Sequence, residues 1–174
     1  KRYILHKFRN NCKPNTIRND YNSVNLLLTF MQSNKKAELE QLHRSDLEAF
    51  IEQEQDRGLS PSTLQNRLAS VYAFIRFFVE NKIIDSELLE RKIHIKQPVT
   101  LPKSMDTDDV DKILTVIDNT RDRAMIMLLL RTGMRIGELL NTKMSDINLE
   151  EQQIRIIESE KTGTGRVAYF SNDA

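Results

Sequence analysis

The stretch HIKQPVTLPKSMD, residues 94–106, limits the possible folds of this chain more than any other. Its prolines, Pro98 and Pro102, each remove a backbone donor and push the preceding residue out of the helical region, and no helical period runs through it. An extended connection is therefore expected, set between two segments whose apolar residues do recur at helical spacing. A chain of 174 residues divided at this point makes two small bodies rather than one large core. The expected division is a helical domain over residues 1–94, a linker over 95–105 and a second domain over 106–174.

Within the first part, Ile17, Tyr21, Val24, Leu28 and Met31 recur at intervals of three and four after the start signal Pro14, Asn15, Thr16, which predicts a helix over 15–33. A shorter helix is expected from Ser45, because Ser45 with Glu48 three residues later has the form of a capping box and Gly58 follows as a stop. The segment LSPSTLQNRLASVYAFIRFFVENK opens with Ser60 as N-cap and Pro61 in the first turn, and Leu64, Leu68, Val71, Ile75 and Phe78 form one stripe along it. These elements imply a small all-helical bundle. Beyond the linker, helices are expected at 107–118 and 121–131, followed by a short one near Arg135. QQIRIIESEKTGTGRVAYFS then turns β-rich around a glycine-containing turn, which reads as a β-hairpin with Lys161 beside its turn.

Charge is the compositional feature that bears on function. Residues 1–36 hold eight Lys or Arg against Asp20 alone, whereas residues 37–60 hold seven acids against Arg44 and Arg57. A basic N-terminal arm of this kind suits phosphate binding, although a solvated tail has the same composition. The single cysteine, Cys12, allows no internal disulfide, and three scattered histidines suggest no metal site. With no signal peptide and no run of about 20 apolar residues, the expected location is cytoplasmic.

One short motif raises a chemical question. RTGMRIGELL, residues 131–140, ends one helix at Gly133 and places Arg135 where the next begins. A cation at that end opposes the helix dipole at a cost of roughly 0.3 to 1 kcal/mol unless an anion joins it. Either Arg135 waits for a phosphate, held by guanidinium and backbone donors together, or it forms an ion pair with Glu138 on the same helix face. Lys161 likewise serves either an anion or simple solubility. The adjacent GTG is weak evidence for nucleotide binding, because no GK[ST] follows and a strand rather than a helix is expected next.

RTGMRIGELLNTKMSDIN resembles the first arginine box of the tyrosine recombinases, the phage integrase family, whose common form is close to T-G-x-R-x-x-E-L. IRIIESEKTGTGRVAYF is similar to that family's hairpin with its catalytic lysine. LSPSTLQNRLASVYAFIRFFVENKII resembles the last long helix of its core-binding domain, and LPKSMDTDDVDKIL the start of its catalytic domain. The resemblance implies a mainly α protein: a SAM-like helical core-binding bundle, then the α+β start of a catalytic domain, helices followed by a β-hairpin. It further implies a site-specific recombinase that cleaves and rejoins DNA through a 3′-phosphotyrosyl intermediate without metal or cofactor. Arg135 would be the first catalytic arginine, Glu138 its support and Lys161 the general acid. Electrostatic stabilisation by such arginines is usually the largest catalytic term.

The expected partner is double-stranded DNA. Candidate contacts are Lys7, Arg9, Lys13, Thr16 and Arg18 around the first predicted helix, Ser62, Thr63, Asn66 and Arg67 at the start of the long one, and Arg166 in the hairpin. The family's His-x-x-Arg box and tyrosine nucleophile follow the hairpin, and this sequence shows neither there. HKFR, His6 to Arg9, stands in the wrong chain order, and Tyr3, Tyr21, Tyr72 and Tyr169 are poorly placed. The expectation is a fragment that binds DNA but cleaves none, monomeric where the full-length protein acts as a homotetramer on two DNA sites. The alternative is a non-catalytic DNA-binding regulatory module; a third reading, a helical protein-interaction domain, gives the basic residues no role beyond solubility.

Overall fold

Helix α4, Pro61–Glu80, organises the first of two compact units, Lys1–Leu101 and Pro102–Ala174, in a computed structural model that describes residues 1–99, 101, 103–157 and 165–171. Ser60 caps it as its sequence predicts, the hydroxyl accepting from the Thr63 amide at 3.3 Å, with Pro61 at the first position. Its buried face carries Leu64, Leu68, Val71, Tyr72, Phe74 and Ile75. Against it pack α2, Pro14–Ser33, and α3, Arg44–Asp56, which add Val24, Leu27, Met31, Leu47, Phe50 and Ile51 to one core.

Three expectations are corrected here. On α2 the buried row is Asp20, Ser23, Val24, Leu27 and Met31, while Tyr21 is exposed. Successive helical residues are about 100° apart, so a stripe read one residue late at 21 and 28, where 20 and 27 are the buried positions, turns Tyr21 to solvent and leaves Leu28 half-buried. The basic N-terminal arm is a helix, α1, Arg2–Arg9, docked through buried Tyr3, whose ring meets Phe74 edge-on at 5.3 Å and whose hydroxyl donates to Asp20 at 3.2 Å. The N-cap of α3 is His43 rather than Ser45, because the Asp46 carboxylate reaches back to the His43 amide at 2.8 Å and pairs with the Lys36 ammonium at 2.6 Å.

After the one-turn helix α5, Glu87–Glu90, the chain runs back along α4. The Ile93 amide donates to the Tyr72 hydroxyl at 2.8 Å, the Ile95 amide to Gln65 Oε1 at 3.3 Å and the Gln97 side-chain amide to the Pro61 carbonyl at 2.9 Å. The stretch read as open linker thus begins as a strap on the first unit.

The second unit comprises α6, Thr107–Val116, α7, Thr120–Thr132, α8, Ile136–Asn141, and three antiparallel strands in the order β1, Ile147–Asn148, β2, Gln153–Ile156, and β3, Arg166–Tyr169. Strand alternation turns Ile154 and Ile156 inward and Arg155 outward, with Ile154 opposite Ala168 and Ile156 opposite Arg166. Met134, Leu139, Ile154, Ile156 and Ala168 form its core. Neither α6 nor α7 buries any residue fully, and Val116, Ile136, Leu140 and Met144 are exposed. No helix among the described residues is long and apolar enough to cross a membrane.

Candidate nucleic-acid interface and arginine site

The site begins at the turn that closes α7. Gly133 adopts φ +60°, the left-handed conformation that a residue with a side chain enters only at a cost, and its amide bonds back to the Leu129 carbonyl at 3.0 Å. Met134 is buried, which fixes the chain just before Arg135. Arg135 then stands as N-cap of α8 in extended conformation.

Glu138, at the third position of α8, resolves the awkward cation. Its Oε2 accepts from the Arg135 amide at 2.9 Å, and its Oε1 from the Arg135 guanidinium at 2.8 Å. The same carboxylate takes a third bond, on Oε2, from Arg166 Nη2 at 2.8 Å. The ion pair considered from sequence is therefore present, yet it does not cover the arginines. The Glu138 side chain is 2% exposed, whereas Arg135 is 50% and Arg166 41% exposed. Two half-exposed guanidiniums, each a planar fork of donors suited to a carboxylate or phosphate, flank one buried carboxylate. The structure thus brings together Arg135, Glu138 and Arg166. Lys161 falls between β2 and β3 in sequence and lies outside the described residues.

The candidate contacts of the first unit separate into two kinds. Arg9, Lys13, Thr16, Arg18, Ser62, Thr63 and Asn66 are exposed. The Ser62 and Thr63 hydroxyls lie 3.1 Å and 2.9 Å from that of Ser60, forming a small polar cluster at the first turn of α4. Lys7 and Arg67, by contrast, are engaged inside the bundle. Lys7 pairs with buried Asp20 at 3.0 Å and lies over the Tyr3 ring, tying α1 to α2. Arg67 turns to buried Glu54, which also binds Arg57 at 2.7 Å, and burial pulls the Arg67 guanidinium below the ordinary arginine pKa. Burial, and then the neighbouring Asp20, push the Tyr3 phenol far above its usual range.

Sequence reasoning missed a basic set on the strap. Lys92 and His94 line a shallow groove beside Arg76, with Tyr72 beneath, and Lys96 is exposed two residues on. The cation-rich run RKIHIK was the available signal. Among the four tyrosines, Tyr3 and Tyr72 are buried with engaged hydroxyls, while Tyr21 and Tyr169 are exposed on α2 and β3. His6 packs at a tilt against Phe77, ring centroids 4.8 Å apart, in the first unit. No group of three or more His, Cys, Asp or Glu side chains suited to a metal occurs among the described residues.

Comparison with known proteins follows the same division. Residues 3–82 match the phage integrase N-terminal SAM-like domain, and residues 103–174 match the phage integrase family. The chain is 29% identical over 133 residues to tyrosine recombinase XerD of Oceanobacillus iheyensis, covering 72% of this chain and 44% of that protein. It is 34% identical over 122 residues to tyrosine recombinase XerA of Pyrococcus horikoshii, covering 70% and 41%. The chain thus spans about half the length of these curated relatives, or less. Its fold is similar to that in the crystal structure of a lambda integrase tetramer bound to a Holliday junction, with TM-score 0.76 and 19% identity over 97% of this chain and 48% of that one. The helical bundle, the arginine box on its short helix and the following hairpin agree with both domain matches, and the chain belongs to the phage integrase family, the tyrosine recombinases.

Proposed function

We propose that this chain binds double-stranded DNA and contributes Arg135 and Lys161 to site-specific strand cleavage and rejoining through a 3′-phosphotyrosyl intermediate. The observation that carries the reading is the half-exposed Arg135 guanidinium, oriented by a buried carboxylate beside a paired hairpin. In this role Arg135 stabilises the negative charge that builds on the attacked phosphate, and Lys161 protonates the leaving 5′ oxygen. Glu138 positions Arg135. The exposed residues Arg9, Lys13, Thr16, Arg18, Ser62, Thr63 and Asn66 serve as contacts to the DNA backbone and groove edge, while Lys7 and Arg67 hold the bundle together. These residues offer no suitable nucleophile, so the 174-residue chain alone binds without cleaving. The full-length protein acts as a tetramer on two duplexes, a proposal supported by the lambda integrase tetramer on a Holliday junction.

Duplex binding is measured first, as affinity of the 174-residue chain against salt. Binding that weakens steeply between about 50 and 200 mM salt is the expected result. The complete gene product is then incubated with its own junction DNA and resolved on denaturing gels. A covalent adduct that disappears with Arg135→Ala, and whose formation or resolution is impaired by Lys161→Ala, supports the assignment. Tight junction binding with no adduct under any condition would replace it with the non-catalytic DNA-binding module.

A further inference from the structure

Glu138 poses an electrostatic problem for the site it supports. Paired with Arg135 alone, through both the amide and the guanidinium, its carboxylate cancels the charge that a phosphate would be drawn to. Arg166 changes that balance. It reaches the same carboxylate from β3, 28 residues away, and places its Nη2 2.8 Å from Oε2 while Arg135 Nη1 lies 2.8 Å from Oε1. Each carboxylate oxygen therefore has its own guanidinium, and the three charged groups together leave one positive charge. That charge is spread over two half-exposed guanidiniums around a buried centre.

We infer that Arg166 is a positioning residue that returns to the Arg135 site the positive charge Glu138 removes, so that a DNA phosphate is attracted there while Glu138 still orients Arg135. The inference rests on the reading that this chain binds DNA through Arg135. A second consequence of the geometry is mechanical. Arg166 opens the strand that leaves the hairpin, so its bond to Glu138 ties that strand to the first turn of α8.

A purely structural Arg166 and a charge-restoring one predict opposite behaviour in a pair of substitutions. The experiment measures duplex DNA affinity against salt for the chain and for Arg166→Gln, Arg166→Lys, Glu138→Gln and the double variant Glu138→Gln/Arg166→Gln, with a thermal melt of each. Arg166→Gln is expected to weaken low-salt binding on the order of tenfold and to flatten the slope of log affinity against log salt by about 0.9. Arg166→Lys keeps the charge and should keep the slope. The double variant removes one charge of each sign and should return to within about threefold of the parent affinity. Arg166→Gln with unchanged affinity and slope overturns the inference, as does a double variant no better than Arg166→Gln. If the Glu138→Gln variants fail to melt cooperatively, the Lys and Gln variants at position 166 decide: a slope kept by Lys alone supports the inference, and equal loss in both overturns it. A parent chain with no salt-dependent binding fails in a distinguishable way, removing the DNA reading itself and this inference with it.

Discussion

The molecule builds the same charged group twice, once in each unit. In the first, buried Glu54 binds Arg57 three residues on and Arg67 from the next helix; in the second, buried Glu138 binds Arg135 three residues before it and Arg166 from a strand. Both carboxylates are 2% exposed and each holds one half-exposed arginine, Arg57 at 54% and Arg135 at 50%; the groups differ in the second, Arg67 at 18% against Arg166 at 41%. Burial of the carboxylate makes the arginines hold still. The second arginine sets them apart: Arg67, mostly covered, closes a seam between α3 and α4, whereas Arg166 leaves its group with two half-exposed guanidiniums.

This contrast breaks most visibly on stability. Arg67→Ala takes from buried Glu54 the partner on α4 and is expected to destabilise the first unit by about 3 kcal/mol, a fall in melting temperature of more than about 10 °C. Replacing Glu54 by Leu together with Arg67 by Met should recover most of that loss, since an apolar pair avoids the desolvation of both charges. A small loss in the first variant, measured by thermal and urea unfolding, would place the two groups in one class. Arg135→Ala should show the reverse profile: a stability change within about 1 kcal/mol, because the exposed guanidinium is already largely hydrated, and an approximately tenfold loss of duplex affinity at low salt.

Smaller effects sharpen the comparison at the helix starts. The start of α4 rests on a neutral hydroxyl, and Ser60→Ala should cost about 1 kcal/mol independently of pH. The start of α3 rests on Asp46, whose carboxyl burial would raise; hydrogen bonds from Lys36 and the His43 amide outweigh that and hold its pKa below the usual 3.8. A depressed folded value means that Asp46 contributes stability fully above the ordinary aspartate pKa and loses it as pH falls through the lowered one. Asp46→Asn should therefore flatten the acid limb of the unfolding curve while leaving the Ser60→Ala increment unchanged, an outcome that acid titration of both variants checks.

The parts legible in the sequence are those fixed by neighbours a few residues apart. Ser60 and Pro61 mark the start of α4, Gly133 marks the end of α7, and Arg135 with Glu138 lies within one turn. The parts that escaped are pairings across the chain. Helix α1 is short and rich in charge, and what docks it, the Tyr3 bond to Asp20, spans 17 residues. Arg67 read as a surface cation because nothing near it in sequence announces Glu54 on another helix. Arg166 was singled out as a DNA contact, but its link to Glu138 depends on the register that sets Arg166 opposite Ile156. Local rules find caps and turns, and the partners of buried charges come only from the assembled fold.

The strap along α4 has a consequence for reach. Its three bonds, from Ile93, Ile95 and Gln97, are spaced two residues apart and stand in a row, so tension applied beyond Val99 loads them one at a time, Gln97 first. Each release pays out about 7 Å of extended chain. The anchored part of the strap thus shortens in discrete increments of two residues, like a tether with three catches.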